Sequence, residues 1–355
     1  MKELISLFLK LGVIGFGGPA AHIAMMRQEV VIRKKWMTDE EFLHLIAVTN
    51  LIPGPNSTEM SIIIGKKQRG LKGLLFSGLA FIVPAVIITY ILSVLYVRYG
   101  SLPSVQPFLL GIKPAIIAII ISAVLPLAKS SFKSPVLIII GITAFILSLL
   151  GVHEILIMAG GGLLMIMLHF AGKNNILLSL AVLPLSKLFF IFFKIGAILY
   201  GSGYVLFAFL ETEFVDTNLI TSQQLADAIA VGQMTPGPLF SSVTFIGYIL
   251  NGWQGAVVAT SGVFLPAFLF IALLDRLFTR FSTSDVFRTF LNGVIAASVA
   301  LIASTGITLG INAITNWQTA LIFIIALAVT FYFKSVNSAF IVVGGAFAGY
   351  LLYLV

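Results

Sequence analysis

The chain has 355 residues, 59% of them hydrophobic and 10% charged, against about 25% charged in a soluble domain. That balance excludes an ordinary soluble enzyme and reads as an all-α polytopic membrane protein. The net charge of +8 does not point to nucleic acid, because the basic residues sit in short loops between apolar runs, and the absence of cysteine excludes thiol catalysis, disulfides and cysteine metal sites.

In chain order, the first apolar run covers 4–26. It ends without a small-residue cleavage site, so it reads as a span and not as a secretory leader. After a polar stretch, Thr38-Asp39-Glu40-Glu41 is a good helix start. The helix it opens, 39–52, would be roughly 20 Å long, and the next, 56–65, roughly 15 Å. Between them stands Asn50-Leu-Ile-Pro53-Gly54-Pro55-Asn56-Ser57-Thr58. Proline lacks the N–H and clashes with the preceding turn, so no helix runs through it. Each arm is about half a bilayer long. Further spans are expected at 73–97, 105–128, 135–150 and 155–170.

The second half repeats this order. A span at 188–209 precedes an arm at 222–234, then Gln233-Met-Thr-Pro236-Gly237-Pro238-Leu-Phe-Ser241-Ser242, an arm at 239–250 and spans at 254–277, 287–310, 317–333 and 338–354. Lys10 and Gly12 meet Lys194 and Gly196 at one constant offset, as Glu29 meets Glu213. The two Pro-Gly-Pro stretches match after a one-residue gap. Internal duplication follows, with repeats at 1–172 (hairpin 38–66) and 173–355 (hairpin 222–250).

Loop charge orients the halves. If each broken segment enters and leaves on one face, the basic residues from Arg27 to Lys72 share that face, and among loop cations only Lys2 and Arg98 fall opposite. A single crooked crossing would separate Arg33-Lys34-Lys35 from Lys66-Lys67, against the positive-inside rule. Each half then has five full spans and one re-entrant hairpin. Five is odd, so the second repeat is inverted, and both termini are expected outside a cytoplasmic membrane. Inverted repeats with substrate between broken helices are a carrier plan.

Phe16-Gly-Gly-Pro19, the helix ending at Pro53-Gly-Pro55, and Gly70-x-x-Gly73 followed by Pro84 resemble the chromate ion transporter family in its long, two-domain form. The second copy departs from the pattern, because Tyr200-Gly-Ser-Gly203 lacks the proline. The resemblance implies export of chromate, coupled to protons in the manner of an antiporter, with competition by sulfate.

An oxyanion needs donors and positive charge. Gly54 and Gly237 suit the turns, and the free N–H groups after Pro55 and Pro238 lie at the positive ends of half-helices. Asn50, Asn56, Ser57, Thr58, Gln233, Ser241 and Ser242 add polar side chains, which could alternatively only cap the broken helices. Lys10 and Lys194 are intramembrane cations and candidate counter-charges, or else snorkel. Gly17 and Gly201 could serve packing and ligand together. Glu29, Glu213, Glu59 and His22 are candidates for proton coupling. Glu29 could equally be a loop carboxylate paired with Arg27 or a lysine, and His22 a packing residue.

The expected partners are an inorganic oxyanion, the lipid bilayer, the proton gradient and a second copy of the chain in a homodimer; no cofactor is expected. A channel with two re-entrant loops is the competing class. An intramembrane enzyme is disfavoured, since the chain holds no H-E-x-x-H or G-x-S-x-G motif, and no P-loop motif supplies ATP.

Overall fold

The computed structural model describes residues 1–15, 18–50, 52–100, 102, 105–167, 185–200, 203–281, 284–333, 336 and 338–353. Every regular element among them is helical. The first half holds α1 (Lys2–Ile14), α2 (Gly18–Arg27), α3 (Asp39–Thr49), α4 (Asn56–Tyr99), α5 (Gln106–Ser131), α6 (Pro135–Leu149) and α7 (Glu154–Met167). The second holds α8 (Leu185–Ile198), α9 (Val205–Leu210), α10 (Ser222–Met234), α11 (Ser242–Phe281), α12 (Asp285–Ala313), α13 (Trp317–Tyr332) and α14 (Ser338–Tyr353). Short π-helical turns follow α2 and α9, at Gln28–Arg33 and Glu211–Val215.

The helix starts follow from local chemistry. Thr38 caps α3 and Glu41 returns the bond to the Thr38 N–H, a reciprocal capping box. Thr221 and Gln224 do the same for α10. Both helices end where Pro-Gly-Pro follows.

α4 is not straight. At Arg69 and Gly70 the backbone leaves helical values, with Gly70 at φ +60°, a conformation glycine adopts without penalty. The chain reverses there. Ser77 donates to the Ser61 carbonyl at 2.8 Å, although sixteen residues of straight helix would set them about 24 Å apart. Gly65 and Gly73 meet backbone to backbone in this fold-back. α11 reverses in the same way at Asn251 and Gly252, bringing Thr244 and Thr260 hydroxyls to 2.7 Å. The first arm of α4 also returns to the level where α3 began: Lys67 pairs with Glu41 at 2.7 Å and Gln68 reaches the Trp36 carbonyl at 3.3 Å.

The first run departs from its expected form. A single crossing by 4–26 would hold its ends about 35 Å apart. Instead the helix breaks after Ile14, and Lys34 pairs with Glu3 at 2.6 Å. The N-terminus therefore lies with Lys34 and Lys67, not on the opposite face. The expected span at 188–209 is likewise broken, between α8 and α9. Among the described residues, 4–26 and 188–209 are thus not single continuous crossings. Among the described residues, four helices are long and apolar enough to cross a membrane (α4, α5, α11 and α12), and α6, α7, α13 and α14 supply shorter apolar helices.

The helices sort into two groups. α4 packs on α1 and on α11, and α11 on α8. Around them, α5 contacts α12, α13 and α14, while α12 contacts α6 and α7. Glycines allow the closest approaches, Gly111 against Gly345 and Gly349, and Gly161 against Gly293. Gly12 lies on the Phe81 carbonyl and Gly196 on that of Val263, so the glycines shared by α1 and α8 serve packing. α4 and α11 pack antiparallel: Lys66 on the first arm of α4 reaches the Ile271 carbonyl on the second arm of α11 at 2.5 Å at one end, while Tyr96 on the second arm of α4 lies tilted against Phe245 on the first arm of α11 at the other.

Single cysteines placed at Lys2, Lys34 and Lys67 should all react with a membrane-impermeant maleimide from one and the same face. Labelling of Lys2 from the face opposite Lys34 would restore a full crossing by the first run.

Candidate functional site

Four helix breaks converge in the interior. Two are the Pro-Gly-Pro stretches; the others follow α1 and α8. Gly54, at φ +131°, donates its N–H to the Leu199 carbonyl at 2.8 Å. Gly237, at φ +97°, donates to the Gly15 carbonyl at 2.7 Å. Gly15 and Leu199 stand at the same offset as Lys10 and Lys194, so one hydrogen bond is made twice, each half's break answering the other's. The His22 Nε2 joins the Gly15 carbonyl at 2.8 Å, its ring edge-on to Phe81.

Around these breaks, buried polar atoms without hydrogen-bond partners accumulate. They are Thr58 Oγ1, both carboxylate oxygens of Glu59, Gln233 Nε2, Ser241 Oγ, Ser242 Oγ and His22 Nδ1. Buried polar groups are nearly always paired. A group left unpaired costs about 1–3 kcal/mol. Such a cluster has the hydrogen-bonding capacity to receive a ligand or water. Ser57 is also buried, and Asn56 bonds Asn50 at 2.7 Å. Thr235 beside the second break meets Thr89 at 3.4 Å.

A cavity of about 20 Å³ lies at the second break, lined among others by Gly15, Tyr204, Gln233, Thr235 and Gly237. It has room for about one water. Beside the first break an apolar cavity of about 310 Å³ runs from Pro53 and Tyr200 to α7 and α12. Gly17 and Gly201 lie outside the described residues.

The lysines are not at the breaks. Lys10 pairs with Glu29 at 2.9 Å, and Glu29 also takes Arg33 at 2.8 Å. Lys194 pairs with Glu213. Each expected counter-charge is thus already neutralised by the glutamate of its own half, because the fold-back after the first helix brings the two together. Arg27 goes to Asp39 at 2.7 Å and not to Glu29. The Lys10 hydrogen bond holds the Glu29 carboxyl below the usual carboxylate range.

Two clusters escape a reading by spacing. His153 stands 3.5 Å from Glu213 and 3.6 Å from Glu154. The Glu213 hydrogen bond raises the His153 imidazole. Burial pushes Glu213 up, but bonds from His153 and Lys194 outweigh it and hold this carboxyl low. Nearby, burial, with Asp216 adding to it, lifts Glu211 to about 7. The second cluster is on α10: buried Asp227 accepts from the Tyr96 hydroxyl at 2.6 Å and from Gln223 at 3.1 Å, and Gln223 accepts from Lys113. A charge inside an apolar arm was its only sequence signal.

Residues 2–166 and again 186–350 match the chromate transporter family. A chromate transport protein of Cupriavidus metallidurans is 30% identical over 99% of this chain and 93% of its own length. A probable chromate transport protein of Synechococcus elongatus is 30% identical over 99% and 96%. A chromate transport protein of Pseudomonas aeruginosa is 29% identical over 99% and 92%. No solved structure matches.

The Glu211 shift sets a pH dependence. A raised carboxyl contributes stability that is present below its unfolded value and lost as pH rises through about 7. Thermal unfolding in detergent should fall by a few degrees between pH 6 and 8. Glu211→Gln, which cannot ionise, should flatten that step.

Proposed function

Since this chain belongs to the chromate transporter family, we propose that it is a secondary active carrier moving an inorganic oxyanion, chromate or a sulfate-like dianion, outward across the cytoplasmic membrane. The observation that carries this reading is the convergence of unpaired buried polar groups on four helix breaks. A tetrahedral oxyanion consumes donors, and hydroxyls at the positive ends of half-helices provide them.

In this reading the hairpins α3–α4 and α10–α11 are re-entrant and open to opposite faces, as parts of inverted repeats at 1–172 and 173–355. The basic face bearing Lys34 and Lys67 is inside, so the N-terminus is inside and the C-terminus outside. The antiparallel run of α4 and α11 supports the inversion. The anion lies between Gly54–Thr58 and Gly237–Ser242, with Gln233 beside it. The cycle is coupled to the proton gradient.

Alternating access is the mechanism. A cavity with room for about one water cannot hold a tetrahedral oxyanion, so loading requires the breaks to part. The hairpin-bearing group moves against α5–α7 and α12–α14, the scaffold on which a homodimer forms. The Lys–Glu pairs flank the site and stiffen the first fold-back of each half.

Replacing Ser242 by Ala or Thr58 by Val removes a donor and should weaken sulfate or chromate binding by about 1–2 kcal/mol, five- to thirty-fold. Lys10→Met should change affinity by less than about 0.5 kcal/mol, because Glu29 keeps Arg33. Binding measured by isothermal titration checks the ranking. Unaltered affinity in both hydroxyl variants, with loss in the lysine variant, would move the site away from the breaks.

A further inference from the structure

Glu59 stands one turn into α4, inside the first break. It is 0% exposed, and neither carboxylate oxygen has a partner. Its Oε1 fills the space over Gly54, where even a methyl group would overlap it. The carboxylate therefore sits in the mouth of the first half-helix end, as a tethered anion. The equivalent position of the second half holds Ser242, which is uncharged and also without a partner.

The groups facing Glu59 are few. Tyr200, from the break after α8, is close enough to feel its charge. The cations of neighbouring elements are directed elsewhere: Lys10 on α1 to Glu29, and Lys66 on α4 to the Ile271 and Ala272 carbonyls of α11. His22 on α2 is turned to Gly15, and the basic contacts of α3 lie at its first turn, Asp39 to Arg27 and Glu41 to Lys67.

We propose that Glu59 is the proton site of the carrier and takes up its proton together with the oxyanion, so that proton and anion cross in the same direction. The proposal rests on the carrier reading above. A dianion at the same half-helix end would stand beside the carboxylate, and like charges so placed favour the neutral acid. Without substrate, the ionised carboxylate itself answers the positive helix end. With a dianion bound, Glu59 is protonated, and its O–H becomes a donor to the oxyanion. The O–H bond forms with a proton from water on the loading side and breaks to water on the release side. Proton and anion then strengthen each other's binding, reciprocally. An antiporter needs them to compete, and a carboxylate in this place makes them cooperate.

The test uses the purified chain, with labelled sulfate and chromate as probes. With one proton per anion, affinity should tighten up to tenfold per unit fall in pH, and Glu59→Gln should give a flat profile. In proteoliposomes with the potential clamped, an acid exterior should drive anion accumulation inside, and an acid interior should not. That arm uses the native protein and does not depend on how the variant folds. Accumulation driven by an acid interior would overturn the proposal, as would a pH profile retained by Glu59→Gln. Anion counterflow at equal pH separates the two levels. If counterflow is present and the gradient response has the opposite sign, only the coupling fails. If counterflow of both anions is absent, the carrier reading fails and the coupling with it.

Discussion

A backbone N–H or carbonyl in hydrocarbon must find a partner within the protein, and this chain breaks its helices in the interior. The solution is a mutual one. Gly54 of the first half is satisfied by Leu199 of the second, and Gly237 of the second by Gly15 of the first. Each break is completed by the other repeat. The two halves are thus bound at the place where each is least regular, and the fold-backs at Gly70 and Gly252 follow, since the chain must return to the same level after reaching the interior.

This exchange also explains what could be read in advance. Pro-Gly-Pro was legible because proline forbids continuation whatever surrounds it. The capping signals of α3 and α10 were legible because they are local. The breaks after α1 and α8 were not: glycine in an apolar run reads equally as a packing site, and only Pro19 hinted that a new helix begins. Without that break, 4–26 looked like a single crossing that would set the N-terminus opposite Lys34, whereas Glu3 pairs with Lys34.

The lysines teach a related lesson. Insertion cost alone pointed from Lys10 and Lys194 toward the anion. The nearer answer was in the repeat itself, since each lysine recurs with a glutamate nineteen residues on. A charge pair preserved in both halves at one separation is a sign of mutual neutralisation. The residues that differ between halves carry more specific information: Glu59 corresponds in the repeat to Ser242, and buried Asp227 to His44. Duplication supplied the frame, and these departures from symmetry give each half its own chemistry.

The single carboxylate at the first break has an electrical consequence. A dianion that travels with one proton carries one net negative charge. Moving that charge out of a cell that is negative inside releases about 2.3 kcal/mol per 100 mV. Taking the proton along costs about 1.4 kcal/mol for each pH unit of external acidity. If proton and anion cross together as proposed, outward flux is electrophoretic, drawn by voltage and opposed by the pH difference, and about 1.7 units of external acidity cancel 100 mV. A cell with a high membrane potential and little pH difference would clear the anion fastest, and the same protein in acid surroundings would run toward uptake.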